Sequence, residues 1–522
     1  MNNIINDVSS AERMRFDKLI DSITKNGKLM TLGHLLEWSA KKYGDRIALI
    51  CRDEQISFNH LFARACMFSE LLRQKGIKSG DSVLVWLENS IEFYIAYFGA
   101  LQIGAIVAPL NVYLTERELT HIIKDADAQI MVTSQSFLER LGDQQIQVPI
   151  LLKEDAIKLD KPITTDKCVI TDKDPDVLTL LLYTSGTTGL PKGVMLSSRN
   201  VLTNAMQAIA RQEFKRCKVL CVLPLFHSFA QNACIWTPLL YGCTVIVVPK
   251  VDRRLILEGL AKKPSVFLGV PALYGLLCLM KTAPLAGIEL FVCGGDALPD
   301  KIRSAFGLIY NRKICNGYGL TETSPLISID LDDMTEPTNC VGTPCINVQV
   351  QIRDEQGNVL TQGQVGQLWV TGPNIMLGYH NAQEATDKVL KNGWFDTGDL
   401  AYINRRGKIV IAGREKDLII HKGFNIYPQE IENVLLSHAD VIRAAVIGKK
   451  ENAVGEIPIA VVQVRTESST LISELKKRCK EQLAAYKIPK DIIVVKRDPP
   501  LTATGKINKK KLKQQLFTDE EN

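Results

Sequence analysis

The chain has 522 residues, of which 46% are hydrophobic and 23% are charged. This length exceeds one ordinary hydrophobic core, so two or more domains are expected. The net charge of +6 is small for the length and argues against a nucleic-acid partner. The thirteen cysteines include no CxxC pair and no cysteine–histidine spacing suited to zinc, and they favour a reducing, cytoplasmic location.

The amino terminus and one uncharged stretch bear on targeting and membrane insertion. The opening residues, MNNIINDVSSAERMRF, lack the apolar core of a signal peptide. Residues 93–114 carry no charge and are long enough to cross a bilayer. Because they include Gln102, Gly104 and Pro109, we predict a buried helix that breaks at Gly104 into a short strand, and no transmembrane segment.

Residues 30–180 alternate between helical and strand patterns, which predicts βαβ units around a largely parallel sheet. Ligands of such folds gather at the carboxyl ends of the strands. Residues 346–412 instead show short alternating strands. The predicted helices are 32–43, 58–75, 91–102 and 116–126, and the predicted strands are 47–51, 82–87, 105–109, 129–133, 178–183, 219–223, 244–248, 265–268, 290–293, 348–353, 366–371 and 408–412.

The apolar strand 178–183 runs into TSGTTGLPKG, which is rich in hydroxyls and glycines. Glycine lets backbone N–H groups converge, hydroxyls donate hydrogen bonds and Lys192 adds a positive charge, so we predict a phosphate-binding loop rather than a solvated linker. Walker A is excluded because Gly193, not Ser or Thr, follows Lys192, and GxGxxG is absent. The loop residues are Thr184, Ser185, Gly186, Thr187, Thr188, Gly189 and Lys192.

Three stretches beyond later strand ends carry candidate binding groups. His227 in PLFHSFAQN follows a strand, although a lone histidine is as often structural. Gly294 and Gly295 in GGDALP permit close backbone approach to a flat base or sugar. In NGYGLTET, which reads as one turn, Tyr318 could stack on adenine and Glu322 could hold Mg²⁺, which prefers oxygen ligands.

The C-terminal third adds a carboxylate and a charged break. Asp399 in GWFDTGDL, predicted in a glycine-bearing turn, suits ribose hydroxyls, although an ordinary β-turn uses the same residues. Residues 413–417 are mostly charged and indicate a hinge or domain edge. A compact α/β unit follows, with predicted helices 428–437 and 471–483 and strands 441–447, 457–463 and 492–495.

Positive charge is concentrated in this last part of the chain. From Glu415 onwards there are 19 Lys and Arg residues against 15 Asp and Glu residues. This excess suits an acidic or phosphorylated partner, and it equally suits a solvated lysine-rich tail.

The motifs YTSGTTGLPKG, NGYGLTE, GWFDTGD, GREKDLIIHKGFNIYPQEIE and LTATGKI follow one another across residues 30–513. Together they resemble the adenylate-forming superfamily of acyl-CoA synthetases, firefly luciferase and peptide-synthetase adenylation domains. The resemblance implies an α/β fold with a large N-terminal domain of stacked βαβ sheets, residues 1–415, containing a small β subdomain at about 340–412. A small mobile α+β C-terminal domain, residues 416–522, would follow a hinge at Lys416.

The resemblance also implies roles for single residues. The loop 184–192 would wrap the β- and γ-phosphates of ATP, and Thr184 and Glu322 would bind Mg²⁺. Asp399 and Arg414 would hold the ribose, while Gly423 would line the thiol tunnel. The residues that would frame adenine and the α-phosphate are Gly295, Asp296, Ala297, Asn316, Gly317, Tyr318, Gly319, Leu320 and Thr321, with Ile411 also at the nucleotide; the implied catalytic residues are Lys506, Thr184, Glu322 and His227.

The reaction so implied has two halves. A carboxylate attacks the α-phosphorus of ATP and releases pyrophosphate, with Lys506 between the carboxylate and the α-phosphate. The C-terminal domain then rotates, withdraws Lys506 and admits a thiol that takes the acyl group.

PLFHSFAQN resembles fatty acyl-CoA synthetases and lacks the carboxylate that amino-acid-activating relatives use to pair the substrate ammonium. The predicted substrate is a medium- or long-chain fatty acid. Gln231 stands where some long-chain enzymes carry a gating tryptophan, which leaves the chain length open. The predicted acyl pocket comprises His227, Phe229, Val270, Leu273, Gly294 and Gly319.

The acceptor is predicted to be CoA, with the phosphopantetheine of a free-standing acyl carrier protein as the alternative. An aryl acid–CoA ligase and a luciferase-like oxidase are less favoured. A non-catalytic nucleotide-binding protein would have lost Thr184, Glu322, Asp399 or Lys506, and all four are present. The interpretation admits a monomer or a homodimer and peripheral membrane contact.

Overall fold

The computed structural model describes residues 8–141, 146–154, 168–184, 190–212, 217–332, 336–337, 339–422, 424–451, 455–466, 468–501 and 507–517. Within these residues the strands form a seven-stranded, a fourteen-stranded and a five-stranded sheet, with a two-stranded ribbon of Thr24–Lys25 and Lys28–Leu29 near the amino terminus.

The seven-stranded sheet is parallel except at one edge. There, Leu178–Thr184 and Lys192–Ser197 form an antiparallel pair, and the short strand Gly378–Tyr379 adds to it. The edge therefore carries the two ends of the predicted phosphate loop. In spatial order the strands are Gly378–Tyr379, Lys192–Ser197, Leu178–Thr184, Ile106–Pro109, Ser82–Trp86, Ala128–Thr133 and Ile150–Leu152.

The fourteen-stranded sheet has an antiparallel half and a parallel half, and the parallel half ends in an antiparallel pair at its outer edge. The antiparallel half contains the strands of residues 340–414, and it joins the parallel half because Cys340–Pro344 pairs with Leu326–Asp330. In spatial order the strands are Gln349–Arg353, Gly366–Thr371, Trp394–Ile403, Ile409–Arg414, Cys340–Pro344, Leu326–Asp330, Cys315–Gly319, Leu290–Cys293, Val266–Gly269, Lys218–Cys221, Thr244–Val247, Ile47–Cys51 and Glu54–Ser57, with Leu390–Lys391 beside Trp394–Ile403.

Helices pack between and outside these two sheets. The largest apolar cluster combines side chains of both sheets with helices that lie between them. One of these, Ile91–Gln102, buries every residue except Glu92, so the uncharged stretch is a core helix followed by the strand Ile106–Pro109, as predicted. No helix in the described part of the chain combines the length and the apolar character needed to cross a membrane.

Of the described helices, most alternate with the strands along the chain. A π-helical turn, Asn232–Trp236, joins the short helices Ser228–Gln231 and Thr237–Tyr241. The helices are Ser10–Ser22, Leu32–Tyr43, Phe58–Gln74, Ile91–Gln102, Glu116–Asp125, Gln135–Leu141, Ser198–Arg211, Ser228–Gln231, Thr237–Tyr241, Arg253–Ala261, Pro271–Leu279, Asp300–Tyr310, Gln383–Val389, Pro428–Leu436, Leu471–Gln482 and Lys509–Phe517.

Local capping signals explain where the helices beside the candidate site begin. The helix Ser198–Arg211 starts with a reciprocal pair in which Asn200 N donates to Ser197 Oγ and Ser197 N donates to Asn200 Oδ1. Thr115 and Glu118 form the same arrangement at the start of Glu116–Asp125. Such boxes satisfy backbone donors that a helix start would otherwise leave unpaired.

The C-terminal part is a small α+β unit. Its sheet contains Phe424–Ile426, Ile419–His421, Gly455–Val464, Val441–Glu451 and Asp491–Val495, and apolar clusters cover both faces. It contacts the rest of the chain through Lys301, whose Nζ donates to His438 O at 3.1 Å and Ala439 O at 2.7 Å. The α/β fold with a large N-terminal and a small C-terminal part is thus confirmed.

Three features differ from the expectations. Residues 393–400 form no turn, because Asp399 lies inside the strand Trp394–Ile403. Residues 316–323 are split between the strand Cys315–Gly319 and the 3₁₀ turn Thr321–Thr323. Cys66 and Cys168 form a disulfide, whereas the cysteine pattern favoured a reducing environment. Because the two cysteines are 102 residues apart, no local spacing in the sequence indicates that they pair.

Candidate active site

Strand pairing brings the two ends of the predicted phosphate loop together. Thr184 lies opposite Lys192 in the hairpin of Leu178–Thr184 and Lys192–Ser197. The helix Glu116–Asp125 supports both ends: Tyr183 Oη donates to Asp125 Oδ2 at 2.7 Å, and His121 Nε2 lies 3.0 Å from Pro191 O. Of the predicted loop residues, Ser185, Gly186, Thr187, Thr188 and Gly189 lie outside the described residues.

Glu322 lies on the 3₁₀ turn Thr321–Thr323, directly after the strand Cys315–Gly319. Its Oε1 accepts a hydrogen bond of 2.8 Å from Tyr379 Oη. Burial raises the pKa of the Glu322 carboxyl, and the bond from Tyr379 opposes that rise. The ring of Tyr379 in turn lies 5.5 Å from Lys192 Nζ. Lys192 and Glu322 therefore flank one aromatic ring.

The described residues contain no cluster of three or more His, Cys, Asp or Glu side chains that could enclose a metal ion. Magnesium does not require such a cage, since it keeps several waters and binds through one or two carboxylates together with substrate phosphates. A single carboxylate, Glu322, oriented by the bond from Tyr379 Oη, fits that mode.

The predicted ribose-binding residues form a tight group in the antiparallel half of the fourteen-stranded sheet. Asp399 is 3% exposed and pairs in register with Arg414. Arg414 Nε lies 2.7 Å from Asp399 Oδ1, and Tyr318 Oη donates to Asp399 Oδ2 at 2.5 Å. Gly398, with φ of +66°, bends the strand just before the carboxylate. The structure thus anchors Tyr318 through its hydroxyl, and adenine stacking stays a prediction.

The segments predicted to frame adenine lie side by side. Cys293 pairs in register with Asn316 in parallel strands, so residues 294–297 leave the sheet beside the strand Cys315–Gly319, which leads into the turn Thr321–Thr323. Gly295 has φ of +79°, a conformation that favours glycine, and Asp296 accepts from Ala297 N at 3.0 Å. Ile411 was also predicted to lie at the nucleotide. Its backbone O accepts a hydrogen bond of 2.8 Å from Asn339 Nδ2.

Phe229 and Val270 pack beside Gly294 and Gly295, and we call these four residues the apolar ledge. A Cβ on Gly294 would lie 3.3 Å from Phe229 Cε1, and one on Gly295 would lie 3.6 Å from Val270 Cγ1. Leu273 is buried in the same region, and His227 packs against Phe226 with ring centroids 4.7 Å apart.

Gln231, which stands where some long-chain enzymes carry a gating tryptophan, has no contact with solvent. It is fully buried, accepts a bond of 3.1 Å from Tyr97 Oη and donates to Phe226 O. Ser228, three residues before it, has its Oγ 3.2 Å from Thr321 Oγ1. The helix that begins at Ser228 is thereby attached to the turn that carries Glu322.

Gly319 tolerates no side chain, because a Cβ there would lie 1.7 Å from Pro325 O. Replacing Gly319 by alanine is expected to displace the turn that carries Glu322 and lower the free energy of unfolding by about 1–3 kcal/mol, as overpacking does. Urea unfolding together with calorimetric ATP binding measures both effects. Gly287→Ala is the control, since its nearest atom would be Pro264 O at 3.8 Å; equal stability and ATP affinity in the two variants would contradict this prediction.

The predicted hinge and tunnel residues are only partly described. Lys416 lies in the exposed 3₁₀ turn Glu415–Asp417, between the strands Ile409–Arg414 and Ile419–His421. Gly423 and Lys506 lie outside the described residues. The hinge role of Lys416 therefore stays a prediction.

The sequence analysis missed Tyr379, His121 and Asp125. Tyr379 belongs to a strand of two residues, too short for any periodic pattern. The other two lie on an amphipathic helix where they read as ordinary surface polar groups. No local signal marks any of the three, because each contacts its partner at least 57 residues away in sequence.

This chain is similar to known protein families and enzymes over most of its length. The model of the AMP-binding enzyme family matches residues 36–380, and that of the AMP-binding enzyme C-terminal domain matches residues 430–506. A long-chain-fatty-acid–CoA ligase of Yersinia pestis is 32% identical over 93% of this chain and 94% of its own. The 4-coumarate–CoA ligase 1 of Solanum tuberosum is 32% identical over 85% of this chain and 86% of its own.

A solved structure extends the agreement to the fold. It is the o-succinylbenzoate coenzyme A synthetase of Bacillus subtilis in complex with ATP and magnesium ion, which superposes with a TM-score of 0.83 at 28% identity, over 92% of this chain and 99% of that one. Family models, relatives and structure cover both the large and the small part of the fold. The chain belongs to the AMP-binding enzyme family.

Proposed function

We propose that this protein uses ATP to activate a medium- or long-chain fatty acid as an acyl adenylate, and then transfers the acyl group to the thiol of CoA. One observation carries the choice of acid: the apolar ledge of Phe229 and Val270 adjoins the strand that leads to Glu322. An acid bound there would have its carboxylate at the nucleotide and its alkyl chain against apolar side chains.

In the adenylation half-reaction the described residues bind and orient ATP. Lys192 and Thr184, opposite each other in the hairpin, would bind the phosphates, and Asp399 would accept hydrogen bonds from the ribose hydroxyls. The charge-assisted contact of Arg414 Nε with Asp399 Oδ1 fixes the direction of that carboxylate. Mg²⁺ held by Glu322 and Thr184 would neutralise phosphate charge when bound.

For the second half-reaction we propose that residues 416–522 turn as a unit about Lys416 and exchange Lys506 for the segment around Gly423. Lys416 suits a pivot because it lies in an exposed three-residue turn without buried side chains. The contact of Lys301 with His438 O and Ala439 O would have to break and reform during that rotation.

Aromatic acids are the second candidate substrates. The likeness to a 4-coumarate–CoA ligase and to an o-succinylbenzoate coenzyme A synthetase favours them. The long-chain-fatty-acid–CoA ligase of Yersinia pestis aligns over more of the chain at the same identity, and this supports the fatty acid as the first choice.

For the acceptor we propose CoA, because both similar ligases named above carry CoA in their names. A holo acyl carrier protein is the alternative, since it presents the same phosphopantetheine thiol. The excess of Lys and Arg over Asp and Glu after Glu415 suits the phosphates of CoA and an acidic carrier protein equally.

Pyrophosphate release with ATP, Mg²⁺ and a panel of acids tests the proposal. We expect turnover with aliphatic acids of medium or long chain to exceed that with cinnamic and benzoic acids by about tenfold or more, because each buried methylene contributes about 0.8 kcal/mol. With the preferred acid, we expect thioester on CoA. Thioester on holo carrier protein alone would overturn the acceptor, and preferred turnover of aromatic acids would overturn the substrate class.

A further inference from the structure

Tyr379 contacts both a cation and an anion of the candidate site. Its hydroxyl donates to Glu322 Oε1 at 2.8 Å, and its ring centroid lies 5.5 Å from Lys192 Nζ. Among the described residues no ion pair within 4 Å joins Lys192 to Glu322, although both contact the same side chain. The ammonium lies over the ring and the carboxylate lies at the hydroxyl, so Tyr379 contacts the two charges at different places.

The backbone around Tyr379 holds both partners. Met376 N donates to Glu322 O at 2.9 Å, and His380 N donates to Gly193 O at 2.8 Å. Tyr379 N itself donates to Thr386 Oγ1 at 2.9 Å, which attaches the segment 376–380 to the following helix. One short segment thus connects the turn that carries Glu322 to the strand that begins with Lys192.

An ammonium and a carboxylate that are free to approach form an ion pair, and that pair would compete with phosphate for the lysine and with a divalent cation for the carboxylate. A ring face that attracts the ammonium can hold it away from a carboxylate at the hydroxyl end of the same side chain. A hydroxyl that donates to one carboxylate oxygen also fixes the direction in which the other oxygen points.

We propose that Tyr379 is a positioning residue: its hydroxyl orients Glu322 for a divalent cation, and its ring keeps Lys192 from pairing with Glu322, so that lysine and carboxylate both remain available to ATP. This inference rests on the proposed function, and it assigns separate tasks to the hydroxyl and the ring.

Two variants separate these tasks. In Tyr379→Phe the ring remains, so calorimetric binding of ATP in the presence of EDTA should stay within twofold of wild type. The Mg²⁺ concentration that half-saturates acid-dependent pyrophosphate–ATP exchange should rise about tenfold, because a hydrogen bond to a charged group is lost. In Tyr379→Ala, Lys192 should pair with Glu322, and metal-free ATP binding should weaken about fivefold as well.

A second substitution in the alanine background gives a readout that mere loss of structure would not produce. Glu322→Gln removes the charge that captures Lys192, so Tyr379→Ala/Glu322→Gln should recover metal-free ATP binding to within twofold of wild type. Tyr43→Phe is the matched control, since its hydroxyl donates to Leu240 O at 2.6 Å on a helix that is not part of the candidate site, and it should change neither binding quantity.

Two results would overturn the inference: an unchanged Mg²⁺ requirement in Tyr379→Phe, or metal-free binding that Glu322→Gln fails to restore. A wild-type protein that binds no ATP would instead overturn the proposed function. Thermal unfolding of each variant shows whether it is folded. If Tyr379→Ala does not fold, the Mg²⁺ requirement of Tyr379→Phe, which keeps the ring, decides whether the inference stands.

Discussion

Replacing Lys506 by alanine is expected to abolish acyl-adenylate formation while leaving thioester formation from supplied acyl-AMP nearly intact. During adenylation, negative charge develops between the attacking carboxylate and the α-phosphate, and one positioned cation there should contribute about a thousandfold in rate. In the function proposed above, the second half-reaction uses the other face of the C-terminal part, so it should not need this lysine. Pyrophosphate–ATP exchange measures the first step, and thioester release from synthetic acyl-AMP measures the second.

Lys511→Ala is the matched control for Lys506. Lys511 lies on the helix Lys509–Phe517 with its side chain exposed, so its removal takes away the same charge without touching the reacting atoms. We expect wild-type rates in both assays. If Lys506→Ala slowed both half-reactions equally, the proposal that Lys506 acts only in adenylation would be wrong.

Replacing Asp399 by asparagine is expected to weaken ATP binding about a hundredfold, because bonds to a charged acceptor are each worth roughly 1.5–3 kcal/mol. The substitution preserves shape but removes the charge that faces Arg414 Nε at 2.7 Å and receives the hydroxyl of Tyr318 at 2.5 Å. The partly exposed guanidinium of Arg414, without its counterion, would also be free to turn away from the site towards solvent. Calorimetric titration with ATP, and with adenosine as a phosphate-free probe, measures the loss.

Asp396→Asn serves as the control for Asp399. Asp396 lies three residues earlier in the same strand, and its Oδ1 accepts from Gly398 N at 3.0 Å, a role that an asparagine oxygen can retain. Burial raises the pKa of the Asp396 carboxyl. We expect ATP binding within a few-fold of wild type. If adenosine binding were unchanged in Asp399→Asn, the ribose assignment would be wrong.

The elements of the fold were predictable from the sequence where pattern and length agree. The helix Leu32–Tyr43 and the strands Ile47–Cys51 and Leu290–Cys293 have the predicted bounds, because apolar periodicity and flanking Gly, Pro or polar residues are properties of neighbouring residues. The same holds for Ile91–Gln102, where Gln102 and Gly104 distinguished a core helix from a membrane span.

Turns were predicted over residues 316–323 and 393–400. In the structure the first range is a strand followed by a 3₁₀ turn, and the second lies almost wholly in the strand Trp394–Ile403. Glycine-rich polar sequences favour turns locally, but Asp399 is held in a strand by pairing with Ile409–Arg414 and Gly366–Thr371. Gly398 accommodates the resulting irregularity with a positive φ. Tertiary pairing here outweighed local preference.

The amino-acid sequence alone determined which chemical groups this protein offers: a hydroxyl- and glycine-rich loop, a carboxylate in NGYGLTE and another in GWFDTGD, each recognisable because its residues are consecutive. Only the tertiary structure decided how they combine. The contacts of Tyr379 with Glu322, of Arg414 with Asp399 through strand register, and of Cys66 with Cys168 join distant segments. Such contacts depend on how sheets and helices pack, and packing energy is shared among many residues, so no single motif encodes it.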